Sequence, residues 1–334
     1  MKKILAIIPA RSGSKSIPNK NILDFSGLPL IAHSIIQAKN SQFINRVIVS
    51  TDSDKYAKIA SIYGAEVPFI RPKIISQDDS LDIDTFIHAL RYLMQNENYT
   101  PDLVVHLRPT HPIRNVIDID NMIEIISGNT EADSIRSVSK ASETPYKMWF
   151  LHENNILKPF VETSKELYNK PRQVLPVVYY QNANIDVIRT KTILNKKSMS
   201  GDIVLGYLID KSYDIDYTED FNKYNLLASL KEGQKKFVID IDGVIAIFNP
   251  KLDYKNSEPN FSNIAVINSL YDLGNNIVLF TARGYKSKID WRETTENQLR
   301  NWGVKYHELI FGKPDADYYI DDKLIEIELI KKII

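Results

Sequence analysis

Along the chain, short unbroken apolar runs alternate with longer stretches of helical spacing. Residues 3–8 are aliphatic after Lys3 and show no polar alternation, the pattern of a strand buried on both faces. Residues 29–40 carry apolar side chains at helix-compatible intervals, and 46–50 form a second apolar run ending in Ser50-Thr51-Asp52. The segment 54–63 predicts a helix stopped by Gly64, and 82–94 predicts another, with Gln77-Asp78-Asp79-Ser80 as its loop and cap. A third apolar strand is expected at 102–107. This alternation implies an α/β fold with a mainly parallel sheet covered on both faces.

From 143 to 184 the rhythm is lost, and the stretch predicts an extended arm with polar and aromatic contacts. It resumes with a strand at 203–209 and an apolar helix at 221–230. The charged stretch 231–236 predicts a linker, after which a new apolar strand begins at 237–244. Further strands are expected at 276–280 and at Tyr318-Tyr319-Ile320. Two domains follow, 1–230 and 237–334, each with its own core.

Composition adds mainly exclusions. The 334 residues carry 42 Lys+Arg and 42 Asp+Glu, so no net field draws the chain to nucleic acid or anionic membrane, and any anion site must be a local cluster. With no cysteine, disulfides, thiolate nucleophiles and Cys-ligated zinc are excluded. No apolar run approaches the roughly 20 residues of a membrane span, and Pro9 and Arg11 cut the first one too short for a signal peptide. A cytoplasmic protein is expected.

The chemistry concentrates where apolar runs end. After 3–8 the chain breaks into Pro9-Ala10-Arg11-Ser12-Gly13-Ser14-Lys15-Ser16-Ile17-Pro18-Asn19-Lys20-Asn21. A small, polar loop at a strand's carboxyl end with three spaced cations suits a polyphosphate. At Arg108-Pro109-Thr110-His111-Pro112-Ile113-Arg114 two prolines forbid regular continuation and hold polar side chains at a strand end. Asp214 and Asp216 flank Ile215, so in an extended chain both carboxylates face one side and offer hard oxygen donors to magnesium, or else cap the helix that follows. Asp240 and Asp242 repeat that spacing around Ile241, and one could attack phosphorus while the other acts as general acid and base.

The first loop resembles the nucleotide loop of the acylneuraminate cytidylyltransferases, "A-R-x-x-S-K-x-[IL]-P-x-K-N", matched at Arg11, Ser14, Lys15, Pro18, Lys20 and Asn21. The resemblance implies CTP binding by Arg11, Ser12, Gly13, Ser14, Lys15, Lys20 and Asn21, with Ser80 a candidate contact to the base. Pro109, Thr110, Pro112 and Arg114 match the family's "L-Q-P-T-S-P-[LF]-R", whereas Arg108 and His111 depart from it. A guanidinium at the position of a sugar-touching glutamine suggests an acceptor with more negative charge or different hydroxyls. The resemblance further implies a dimerisation arm whose Lys147, Arg172 and Asn182 complete the acceptor site, and a magnesium ion on Asp214 and Asp216.

The stretch from 237 onward resembles the haloacid dehalogenase superfamily of phosphatases. Asp240-Ile241-Asp242-Gly243 matches its first motif, Thr281 its hydroxyl-bearing second, Lys313 its phosphate-neutralising lysine, and Asp321 and Asp322 its metal-binding acids. The intervals leave no room for a large cap. Together the resemblances imply a homodimeric or larger bifunctional enzyme with two magnesium sites. One domain makes a CMP-linked acidic sugar from CTP, and the other hydrolyses a phosphate ester. The alternatives are a phosphorylated acceptor giving a CDP-product, favoured by Arg108, and a nucleotide-binding protein with an inactive phosphatase half.

Overall fold

A computed structural model describes residues 2–162, 166–231, 235–248, 253–316, 319 and 325–331. Of the expected final strand only Tyr319 is among them; Tyr318, Ile320, Asp321 and Asp322 lie outside. The chain divides into two compact units, Met1–Asp220 and Phe221–Ile334, a division that falls inside the helix Thr218–Lys231.

In the first unit the order is β1 (Ile4–Pro9), a small antiparallel pair β2 (Asp24–Phe25) and β3 (Leu28–Pro29), α1 (Leu30–Asn40), β4 (Arg46–Ser50), α2 (Asp54–Ile62), α3 (Asp82–Glu97), β5 (Leu103–Leu107) and α4 (Val116–Gly128). There follow β6 (Ser134–Lys140), the hairpin β7 (Trp149–Leu151) and β8 (Leu157–Pro159), β9 (Tyr179–Arg189), α5 (Thr190–Asn195), β10 (Val204–Leu208) and α6 (Thr218–Lys231). Six strands form one sheet in the order β10-β6-β9-β5-β1-β4. Every pairing is parallel except those of β9, which runs against both β5 and β6.

The unbroken apolar run of β1 has a direct packing cause. Ile4, Ala6 and Ile8 enter one core with Ile31 and Ile35 of α1, while Leu5 and Ile7 enter the other with Phe86, Leu90 and Leu93 of α3. Each fully buried aliphatic side chain contributes about 1.5–3 kcal/mol, so a charge at Ile7 would break this interior strand, which lies between β5 and β4. α2 starts where the Ser53 side chain accepts from Tyr56 N, and the turn after it uses Gly64 at φ +88°.

Three expectations change. The arm predicted to run through residue 184 stops earlier, because Tyr179-Tyr180-Gln181-Asn182-Ala183-Asn184 belongs to β9 in the middle of the sheet. Asp214 and Asp216 follow β10 by several residues and lie in irregular chain rather than at a strand tip. Ser80 does not cap α3, whose N-cap is Leu81; its hydroxyl accepts from Gln77 N and closes the 77–80 turn.

The second unit contains three parallel strands in the order β11 (Lys236–Asp240), β12 (Asn276–Thr281), β13 (Glu308–Phe311). With them go α7 (Phe261–Asp272), α8 (Arg292–Asn301) and the short α9 (Ile327–Lys331). Ile264, Ile267 and Leu270 of α7 and Ile277 and Leu279 of β12 are buried. Asp240 and Thr281 end adjacent parallel strands, so both reach the sheet's carboxyl edge.

Candidate active site

The first unit holds a cleft of about 500 Å³ at the carboxyl ends of β1 and β5. One wall is the loop after β1, whose shape is set by hydrogen bonds. Ser12 donates through N (2.8 Å) and Oγ (3.0 Å) to the Asp52 carboxylate, and buried Asn21 donates to Arg11 O at 3.0 Å. Arg11, Ser14, Lys15, Lys20 and Asn21 line the cleft, whereas Ser12 and Gly13 are not among its lining residues. A Cβ at Gly13 would meet nothing within 4 Å, so in this state no close approach requires the glycine.

Lys20 crosses the cleft floor and donates to Ile215 O at 2.7 Å. That contact brings the Asp214/Asp216 segment to the cationic loop although 195 residues separate them. Burial lowers the Lys20 ammonium's pKa, Asp216 and Asp214 oppose the shift, and Arg11 adds to it. Ile215 is fully buried and donates through N to Thr110 O, so the two flanking carboxylates turn outward. Asp216 lines the cleft. Burial raises the Asp214 pKa, with Asp216 adding to the rise and a hydrogen bond from Thr110 opposing it. Among the described residues neither carboxylate meets a lysine or arginine within 4 Å, because Lys20 uses its ammonium on the backbone between them.

The opposite wall was less legible. Arg71, only 4% exposed, donates from Nε to Ser76 Oγ and from Nη1 to Thr85 Oγ1, and it lines the cleft beside Ser80. A single arginine before a proline gives no sequence signal. Asp78 binds Arg11 Nη1 at 2.7 Å and also Lys15, which together hold its carboxyl below the usual range, Lys15 first.

The turn after β5 is pinned from below. Arg114 donates to Asn184 Oδ1, Gln37 Oε1 and Arg108 O, and burial pulls its guanidinium down to about 9. His111, one of the two departures from the family's pattern, is fully buried; its Nε2–H donates to Asn182 O and burial holds its pKa down to about 3, so it is neutral at ordinary pH. Arg108 lines the cleft but is not a free cation: Nη1 donates to Ala183 O and Asp186 Oδ2, and Nη2 to Asp82 Oδ2.

Three expected acceptor contacts are not brought to this cleft within one chain. Asn182 lies in the sheet interior, 5% exposed, where its amide donates to Ser139 Oγ and accepts from Ser137 Oγ and Asn184 N, and it is not among the cleft's lining residues. Arg172 is exposed on the arm and pairs with Glu143, and Lys147 is exposed at the end of the turn Pro145–Lys147. Neither is among the cleft's lining residues.

In the second unit, Asp240 pairs with Lys313 and also accepts from Ile241 N. Thr281, fully buried, accepts from Arg283 N at 3.1 Å, and Lys313 N donates to Thr281 O. The three residues therefore meet at one edge. Asp242 departs from the expected free acid. Its carboxylate accepts from Arg283 Nη2 at 2.7 Å and Nε at 2.9 Å, and that buried guanidinium is held by Thr295 and Gln298 and lies over the Tyr254 ring. Among the described residues no group of three or more acidic or histidine side chains forms a metal cage.

The first unit is thus an α/β fold whose cleft carries cations on one wall and Asp216, next to Asp214, at its floor. It superposes on a CMP:2-keto-3-deoxy-manno-octonic acid synthetase complexed with CTP at TM-score 0.52 and 15% identity, covering 68% of this chain and 98% of that one, a likeness of fold. A family model described as "Cytidylyltransferase" matches residues 5–239, and the chain belongs to that family. It is 34% identical over 234 residues to the CMP-N,N'-diacetyllegionaminic acid synthase of Legionella pneumophila, covering 69% of this chain and 98% of the relative. It is 31% identical over 273 residues to the N-acylneuraminate cytidylyltransferase of Escherichia coli, covering 81% and 62%. No helix among the described residues is long and apolar enough to cross a membrane.

Proposed function

We propose that the first unit transfers CMP from CTP to a hydroxyl of an acidic, sialic acid-like sugar, the anomeric hydroxyl of an α-keto acid, releasing pyrophosphate. The observation that carries the reading is the convergence of Arg11, Lys15, Lys20 and Asp216 on one cleft in a chain of the cytidylyltransferase family. The names of the Legionella and Escherichia relatives support the sugar class. Arg11, Lys15 and Lys20 hold the triphosphate, and Asp78 yields its two cations when the phosphates arrive. The acceptor hydroxyl, set in line, bonds to the α-phosphorus as the bond to the departing pyrophosphate breaks and the hydroxyl proton is lost.

Asp214 and Asp216 suit a magnesium ion: they are two hard oxygen donors two residues apart with no lysine or arginine within 4 Å among the described residues, the nearest ring nitrogen being that of the neutral His111, 3.5 Å from Asp214. Bound there, the ion would offset charge on the α-phosphate and the leaving group. Pyrophosphate release from CTP, with mass identification of the CMP-linked product across a panel of nonulosonic and octulosonic acids, tests the reading. No release with any of them would sink it.

We further propose that the second unit is a small-capped haloacid dehalogenase-type phosphomonoesterase acting on a sugar phosphate upstream of the transfer. The meeting of Asp240, Lys313 and Thr281 at one sheet edge supports it. Asp240 attacks phosphorus as the bond to the alcohol breaks, Asp242 protonates the departing alcohol once it has released Arg283 and taken up a proton, and water then cleaves the acyl phosphate. The second magnesium expected on Asp240, Asp242, Asp321 and Asp322 enters no step here, since Lys313 and Arg283 already face the first two acids. Phosphate release from an aryl phosphate, lost in Asp240→Asn, is the test. The exposed apolar arm with Trp149, Phe150, Leu151, Leu157 and Phe160 supports a homodimer in which Lys147 and Arg172 reach a partner's cleft. Sedimentation of the intact protein against a variant with charged residues in the arm checks it.

A further inference from the structure

The cationic loop after β1 and residues 75–78 both line the cleft, and one carboxylate joins them. Asp78 Oδ1 lies 2.7 Å from Arg11 Nη1, and Oδ2 meets the Lys15 ammonium. The other cations of the cleft are held differently. Arg108 is clamped by Asp82 and Asp186, whereas Arg71 and Lys20 donate to uncharged oxygens. Among the described residues, Arg11 and Lys15 have Asp78 as their only anionic partner.

The turn that carries Asp78 is otherwise held to itself. Its base is fixed, since Arg71 Nε donates to buried Ser76 Oγ at 2.9 Å and Ser76 Oγ donates to Pro72 O at 3.0 Å. Beyond Ser76 the bonds are internal: Gln77 Nε2 donates to Lys73 O at 2.7 Å, Gln77 N to Ser80 Oγ at 2.8 Å and Ser80 N to Gln77 O at 3.3 Å. Gln77, Asp78 and Asp79 are exposed, so little burial anchors the turn. The Asp78 carboxylate is therefore, among the described residues, the one ionic tie between this turn and the loop.

Breaking that tie is cheap. The Asp78 side chain is 41% exposed and can return to water, unlike the clamp on Arg108, whose Asp186 is 1% exposed. Asp78 offers one negative charge, whereas a polyphosphate offers several on adjacent groups and accepts the Arg11 guanidinium through paired hydrogen bonds. A ligand that needs both cations must displace Asp78, so its apparent affinity is reduced by the fraction of protein already open, and by the same factor for every such ligand.

We propose that Asp78 is a built-in competitor: with the cleft empty it latches the 77–80 turn to the cationic loop, and a polyphosphate opens the turn by taking Arg11 and Lys15. The inference rests on the transferase reading above for the identity of the nucleotide, and the latch itself concerns the binding step. As the polyphosphate product leaves, the latch closes again.

The experiment measures calorimetric Kd values for CTP, pyrophosphate and cytidine, without acceptor, for the intact protein, Asp78→Asn and Asp79→Asn. Asp78→Asn should tighten CTP and pyrophosphate by one common factor of about three- to fivefold, and leave cytidine, which has no phosphate, within about 1.5-fold. Asp79→Asn removes a neighbouring exposed charge without touching the latch and should leave all three within about 1.5-fold. Because the chain has no cysteine, Gln77→Cys accepts a single environment-sensitive fluorophore. Pyrophosphate should change its emission, and Asp78→Asn should show the changed emission without ligand. Weaker or unchanged binding of CTP and pyrophosphate in Asp78→Asn, an equal effect in Asp79→Asn, or a label that pyrophosphate leaves unmoved would overturn the proposal, whatever the transferase assay shows. The expected binding pattern without pyrophosphate release from any acceptor would sink the transferase reading and leave the latch standing, and absence of CTP and pyrophosphate binding would overturn both.

Discussion

The same triplet, Asp-Ile-Asp, occurs at 214–216 and at 240–242, and the two copies have opposite electrostatic surroundings. In both, the isoleucine is fully buried and anchors the segment, which turns the flanking carboxylates away from the core. Around Ile215 the nearby lysine donates to the backbone, so among the described residues neither acid is paired with a lysine or arginine, and burial, with Asp216 beside it, raises the Asp214 pKa. Around Ile241 each acid has its own base, Lys313 for Asp240 and Arg283 for Asp242. A carboxylate pair without counter-ions is poised to take a cation from solution. A pair already compensated holds its side chains in fixed positions and must exchange a partner before it binds anything else.

Four experiments press on this contrast. The largest effect is expected from Asp240→Asn, which should lower phosphate release from an aryl phosphate by on the order of 10^4-fold and leave pyrophosphate release from CTP within about twofold. Loss of both activities together would show that the two triplets do not serve separate reactions. Asp216→Asn should do the converse, lowering pyrophosphate release by about 10^2–10^3-fold with phosphate release unchanged. Ile215→Ala and Ile241→Ala remove the shared anchor. Each should cost about 2–5 kcal/mol of the stability of its own unit, read by denaturant unfolding; a negligible cost at either site would mean that the isoleucine does not hold its triplet.

The smallest effect concerns pH. Burial raises the Asp214 pKa in the folded protein, so the protonated acid is favoured there relative to the unfolded chain. The associated stability is fully present below the unfolded value near 3.8 and is lost as pH rises through the higher folded value. Asp214→Asn should therefore unfold at slightly higher temperature than the unsubstituted protein at pH 7, with the gap closing toward pH 3. The opposite sign would mean that Lys20 outweighs desolvation at this site.

Much of the scaffold was legible because burial on both faces leaves an unbroken apolar run. β1, β4 and β5 were each read from such a run, and their alternate residues enter the two cores. β9 was missed throughout, its first half being read as part of the arm. Tyr179 to Asn184 is polar and aromatic, and what makes it strand is the pairing of Tyr179, Tyr180 and Gln181 with β6, which no local pattern records. The same cause hid the cluster beneath the turn after β5. Asp186 and His106 acquire meaning only when the antiparallel register sets them side by side, and Arg71 only when Ser76 and Thr85 close around it. Arg108 was found from its position in a motif, but its two carboxylate partners invert the reading, from a free cation to a compensated donor.

By itself the sequence determined which residues carry charge, where apolar runs break into polar loops, and that two acid pairs stand two residues apart. Those properties depend on covalent order and short-range geometry, which a linear pattern contains. Only the tertiary structure decided which opposite charges meet: that Lys20 reaches Ile215 O, that Asn182 turns inward, and that Arg283 rather than solvent faces Asp242. Electrostatic interaction falls off over a few ångströms in a partly buried site, so the chemistry of each carboxylate was set by neighbours that folding supplied from distant parts of the chain.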